Sequence, residues 1–153
     1  MDNLTEFSSK FLEWTEKEIE AKKLDGFPIC PYARRARLQN KIQFIDSRVQ
    51  ETLLDSFLSF DKDQFEIGIA WLGDQDDEYM SMVSSILADL SEKNPDLLYF
   101  TSTRTSGHFT KNISDCVFIQ LKGDILDKRE YLHTTKYYDS WPRDYYHSII
   151  DSD

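Results

Sequence analysis

The fold class this sequence predicts is a single α/β domain, a sandwich whose mixed, mainly four-stranded sheet carries helices on both faces. Three observations predict it. Four short apolar runs, at 41–46, 65–72, 97–102 and 116–121, read as strands. Stretches of helical period alternate with them and give the order α-β-α-β-α-β-β-α. Within Phe65-Glu66-Ile67-Gly68-Ile69-Ala70-Trp71-Leu72, large residues alternate with Gly68 and Ala70, as expected of a central strand approached closely by helices.

The N-terminal helix is expected over about 3–24. Leu4, Phe7, Phe11, Trp14 and Ile19 repeat at helical spacing on a core-facing stripe, and Gly26 then Pro28 end it. Lys41 to Asp46 is the first strand. Val49, Leu53, Phe57 and Phe60 return to helical period over 48–60. In the second strand Phe65, Ile67, Ile69 and Trp71 are expected to share one face. The acidic run Gly73-Asp74-Gln75-Asp76-Asp77-Glu78 opens a helix, capped by Asp74 or Asp76, with Met80, Val83, Ile86, Leu87 and Leu90 buried. Asn94-Pro95 stops it. Strands at 97–102 and 116–121 follow, most simply antiparallel, joined by a long polar connection holding Arg104 and His108. A helix at 125–138 leads to Trp141-Pro142 and an aromatic tail over about 140–153. Short βα units favour parallel pairing of the first strands.

Chemistry is concentrated in Phe27-Pro28-Ile29-Cys30-Pro31-Tyr32-Ala33-Arg34-Arg35-Ala36-Arg37. Pro31 suits the first turn of a helix, which makes Cys30 a candidate N-cap. A thiol there faces unsatisfied N–H groups and nearby guanidinium groups, and both favour thiolate. The same groups can seat a small anion. Arg34 and Arg37, three apart, share a helix side, while Arg35 points elsewhere. The alternative reading is a small buried cysteine closing a turn, with the arginines on a solvated face.

Two resemblances attach to this stretch. Cys30-Pro31-Tyr32-Ala33 resembles the glutaredoxin Cys-Pro-Tyr-Cys site with Ala33 in place of the second cysteine. The element order is similar to that of thioredoxin-like proteins, and Pro95 before the third strand resembles the position of their cis-proline. The longer resemblance is to an uncharacterised bacterial family with a Cys-Pro-Phe-Ala stretch after an N-terminal helix. It implies that the stretch matters and implies no reaction.

Composition narrows the function classes. The chain has 153 residues, 14% of them aromatic, which suits one folded domain and not a disordered acidic chain. The net charge of −10 is uneven. Residues 1–50 hold nine basic and eight acidic residues (+1), and residues 51–153 hold nine and twenty (−11). Residues 31–50 hold five and one (+4). A basic patch on an acidic protein fits a small anionic molecule or another protein as partner, and not nucleic acid. Cys30 and Cys116 make no disulfide scaffold. No signal peptide and no membrane-length apolar run is visible, so the expectation is a soluble, cytoplasmic protein without membrane partners.

His108, His133 and His147 are too scattered for a zinc spacing, and the acidic run lacks the offsets of a calcium loop, so no metal is expected. No phosphate-binding glycine loop occurs and no cofactor is implied. Two readings remain. One is a cysteine-centred enzyme or thiol-redox protein, with Cys30 as nucleophile, His108 as acid/base, and Tyr32, Arg34, Arg37 and Arg104 holding an anionic substrate. The other is a non-catalytic, acidic protein–protein interaction module.

Overall fold

The computed structural model describes residues 3–20, 23–24, 27–28, 33–101, 116–139, 141 and 143–150. Its centre is a mixed sheet of β3 (Ile42–Asp46), β4 (Ile67–Trp71), β5 (Leu97–Thr101) and β6 (Cys116–Leu121), in the order β3-β4-β6-β5. β3 and β4 are parallel, and β6 runs antiparallel to both of its neighbours. This is the expected α/β sandwich, with the expected parallel first pair and antiparallel last pair.

Side-chain alternation divides the sheet into two cores. On one face Ile42, Phe44, Ile67, Ile69, Trp71, Cys116 and Phe118 pack against α1 (Leu4–Trp14). Asn3 caps α1 by accepting the Glu6 N–H at 2.9 Å, and Phe7 and Phe11, one turn apart, are its buried residues. On the other face Ile45, Ala70, Leu72, Tyr99, Val117 and Ile119 meet α3 (Leu53–Leu58) and α4 (Asp77–Lys93). β4 is central, and a Cβ on Gly68 would lie 2.7 Å from Phe60 Cδ1. The missing side chain makes room for the Phe60 ring beyond α3. Asp76 caps α4 by accepting the Tyr79 N–H at 2.8 Å. Val83, Leu87 and Leu90 are its fully buried residues, with Met80 and Ile86 at the margin of the core.

Several expectations need correction. The first helix does not reach residue 24. A π-helical turn, Thr15–Glu20, continues α1, and then β1 (Lys23–Leu24) pairs antiparallel with β2 (Phe27–Pro28). The intervening sequence, Asp25-Gly26, is a dipeptide strongly favoured in two-residue hairpin loops. Phe65 does not share a face with Ile67. Its N–H donates to Asp61 O at 3.0 Å in a turn, and its ring joins the α3–α4 core. Val49 is exposed because it precedes the short 3-10 turn Gln50–Thr52 that leads into α3. The helix expected from 125 starts at Lys122: α5 is Lys122–His133, and the Lys122 N–H donates to Asp96 O at 2.8 Å. First-turn N–H groups need acceptors outside their own helix, and Asp96 supplies one. The Asn94–Pro95 bond is trans, as no peptide bond among the described residues is cis. No helix among the described residues is long and apolar enough to cross a membrane.

Candidate functional site

The arginines of the Cys30 stretch sit on α2 (Ala33–Leu38), at the end of the sheet where β3 and β4 begin. Lys41 N–H donates to Ala36 O at 2.8 Å, and Asn40 takes a positive φ of 54°, so the chain turns directly from α2 into β3. Arg35 donates to Glu66 at 3.1 Å, just before β4. Arg37 pairs with Glu16 of the π-helical turn at 3.0 Å. Lys128 Nζ of α5 lies 3.6 Å from the other Glu66 oxygen, so one half-buried carboxylate sits between α2 and α5. Arg35 and Arg37 thus point to different partners, as their spacing predicts. Both guanidinium groups already face carboxylates, which offsets the local charge that favoured an anion there. Cys30, Pro31 and Tyr32 lie outside the described residues, as does the side chain of Arg34.

The opposite edge of the sheet holds a second polar group. After β3, Arg48 donates to Asp46 through Nε at 2.9 Å and through an Nη at 2.7 Å. The same guanidinium lies 4.2 Å from the centre of the Trp71 ring. Its hydrogen bond holds the Asp46 carboxyl below the usual value of 3.8, against a smaller upward push from burial. Ser47 is buried and accepts the Ser56 hydroxyl at 2.8 Å. The polar connection leaves this edge after Thr101 and returns at Cys116, which pairs with Trp71. Arg104 and His108 lie outside the described residues. The described anchors of the two halves of the predicted cysteine site are therefore at opposite ends of β4. Glu66 holds one, and Trp71 pairs beside the other, about 16 Å along the strand. Cys116 is a buried core thiol.

Near the C-terminus, His133 is a structural pin. Its Nδ1 lies 2.7 Å from Arg129 O and its Nε2 lies 2.8 Å from the Tyr146 hydroxyl. A carbonyl only accepts, so Nδ1 carries the proton, and in the neutral ring Nε2 accepts from Tyr146. Tyr138 packs on the His133 ring and on Tyr146, which ties α6 (Arg143–Ile150) to α5, and Tyr137 and Trp141 pack against Tyr138. Among the described residues no three His, Cys, Asp or Glu side chains converge as a metal would require.

The feature that sequence reasoning missed lies between α3 and α4. Leu54 and Leu58, one turn apart on α3, are 48% and 52% exposed, beside the buried pair Leu53 and Phe57. Gln50 Nε2 meets Met82 Sδ at 3.7 Å, which sets this flank of α3 towards α4. Met82 and Ile86, also one turn apart, are only partly buried. Helical spacing puts Leu54 and Leu58 on the flank that continues from Gln50, and Ile86 on the flank that carries Met82, so the two apolar pairs border the seam between the helices, the α3–α4 furrow. Glu51 of the 3-10 turn, Asp55 of α3, and Glu78 and Asp89 of α4 are exposed on the same elements. Burial and the Glu51 charge together raise the Tyr79 phenol above 10.0 at the same junction. A signal was present in the sequence: Leu53-Leu54 and Phe57-Leu58 place two apolar stripes on one short helix, more than a core contact needs.

Compared with known proteins, the chain matches no family model, no curated protein and no solved structure.

Proposed function

We propose that this protein is a non-catalytic interaction module that takes an apolar segment of a partner protein into the α3–α4 furrow. The observation that carries this reading is the half-exposure of Leu54 and Leu58, one turn apart on α3, whose preceding turn meets Met82 of α4 through Gln50. Four apolar side chains in paired one-turn steps form a patch, where single exposed leucines would need no explanation. Methionine adapts its shape to varied apolar partners, which suits a wall of a binding furrow. We place this role in a reducing, cytoplasmic setting, which the buried thiol of Cys116 suits.

The test is to select binders from a random peptide library and map them by amide chemical-shift changes. Shifts centred on Leu54, Leu58, Met82 and Ile86, retained in a Cys30→Ala variant, support the module. Binders that map to α2 and are lost in Cys30→Ala return the cysteine-centred reading to first place.

A further inference from the structure

The geometry points to a basic amphipathic helix as the segment that the α3–α4 furrow binds, an inference that rests on the module reading above. Two observations choose this occupant. The first is charge. Residues 49–93, which contain both furrow helices, hold two basic and eleven acidic residues, a net −9 within a chain of net −10. Four of these acids, Glu51, Asp55, Glu78 and Asp89, are exposed on α3, its preceding turn and α4. One of the two cations, Lys62, is already paired with Asp96 at 3.1 Å. Cationic residues flanking an apolar stripe would meet this field directly, and an acidic segment would be repelled.

The second observation is the nature of the walls. Both are helices whose backbone groups are satisfied internally, so the furrow offers no ladder to an extended strand. An occupant that buries its backbone there must satisfy its own hydrogen bonds, which a helix does. Leu54 and Leu58 are one turn apart, and so are Met82 and Ile86. An occupant with apolar residues at the same i, i+4 step can place one side chain against each pair. α3 has six residues, so the contact is about two turns long, and affinity on the order of micromolar is expected.

The probe is a synthetic helical peptide with leucines on one face and lysines on the other. It is compared by calorimetry with the same peptide carrying glutamates for lysines, and with a scrambled leucine–lysine peptide. The amphipathic lysine peptide should bind at least about tenfold more tightly than either control, and its affinity should fall steeply with salt. Leu54→Ser and Leu58→Ser should each weaken it several-fold, with unchanged urea unfolding. Glu51→Gln and Asp55→Asn should weaken it mainly at low salt. Met82→Gln, on the other wall, serves if a leucine variant fails to fold. Equal binding of the glutamate peptide, still lost in Leu58→Ser, would overturn the basic partner and leave the module standing. No binding by any peptide, or binding indifferent to all three furrow variants, would overturn both.

Discussion

The two faces of the sheet are covered in opposite ways. On the α1 face one helix meets the sheet with rings and buries its centre at Ile69, Trp71 and Cys116, while Ile42, Phe44, Ile67 and Phe118 stay only partly buried. Phe7 stacks on Trp71 at 5.3 Å and an interplanar angle of 10°, and Phe11 packs within 6 Å of Trp14, Phe44 and Phe118. On the other face two helices share the work and mix rings (Phe57, Phe60, Tyr99) with aliphatic side chains; the sheet residues Ile45, Ala70, Leu72, Val117 and Ile119 are buried, while Leu54 and Leu58 on α3 stay half exposed. An aromatic side chain covers a large area with few rotatable bonds, so one amphipathic helix buries the middle of its face and leaves the flanks partly open. Two helices bury the sheet face more completely than one, and the apolar surface that remains exposed on that side lies on the helices themselves, at Leu54 and Leu58.

The largest effect should come from the α1 face. Trp71 is 2% exposed, sits on the central strand and holds both Phe7 and Arg48. Trp71→Ala should cost about 3–5 kcal/mol in urea unfolding. A loss no greater than that of Asp74→Ala would mean that the α1 face contributes little to the core.

On the α3–α4 face the corresponding sensitive point is Gly68. An added Cβ meets the Phe60 ring at 2.7 Å and Ile119 Cβ at 3.3 Å. Gly68→Ala should therefore destabilise by about 1–3 kcal/mol, and Phe60→Leu in the same chain should recover part of it. Additive losses in the double variant would show that the ring and the glycine are not coupled.

Asp76→Ala, which removes the cap of α4, should cost about 1 kcal/mol, whereas Asp74→Ala, which makes no such cap, should cost less. Equal losses from the two would remove the assignment of Asp76 as the cap.

The smallest effect is a pH dependence at the edge above Trp71. The Asp46 carboxyl is held below its ordinary value, so its contribution to stability is present in full above about 3.8 and is lost as pH falls through the lower folded value. The pair is well exposed, so the contribution is under about 1 kcal/mol. Asp46→Asn should flatten the acid limb of the stability curve below pH 4 by lowering neutral stability by that amount, under about 1 kcal/mol, while leaving stability in acid nearly unchanged. An unaltered acid limb would mean that Arg48 is held by Trp71 alone.

Much of this protein was legible in its sequence. The alternation Ile67-Gly68-Ile69-Ala70-Trp71 marked β4 as central, because only a strand with small residues on one face admits a close helix. Asp76 was readable as a cap because its place before Asp77, Glu78 and the apolar stripe is a local signal. Local signals failed where an element's fate depended on distant partners. Lys23 and Leu24 continued a helical run, yet pair with Pro28 and Phe27 in a hairpin. Phe65 continued a strand pattern, yet is held in a turn by Asp61. The arginines of α2 looked like an anion seat because the sequence shows their spacing and not their partners. Glu16 and Glu66 reach them only through folding. Apolar period gives the number of stripes on a helix, as at Leu53-Leu54 and Phe57-Leu58, but not which stripe is covered. That is decided by where α4 packs, since coverage is a property of neighbouring elements and not of the helix itself.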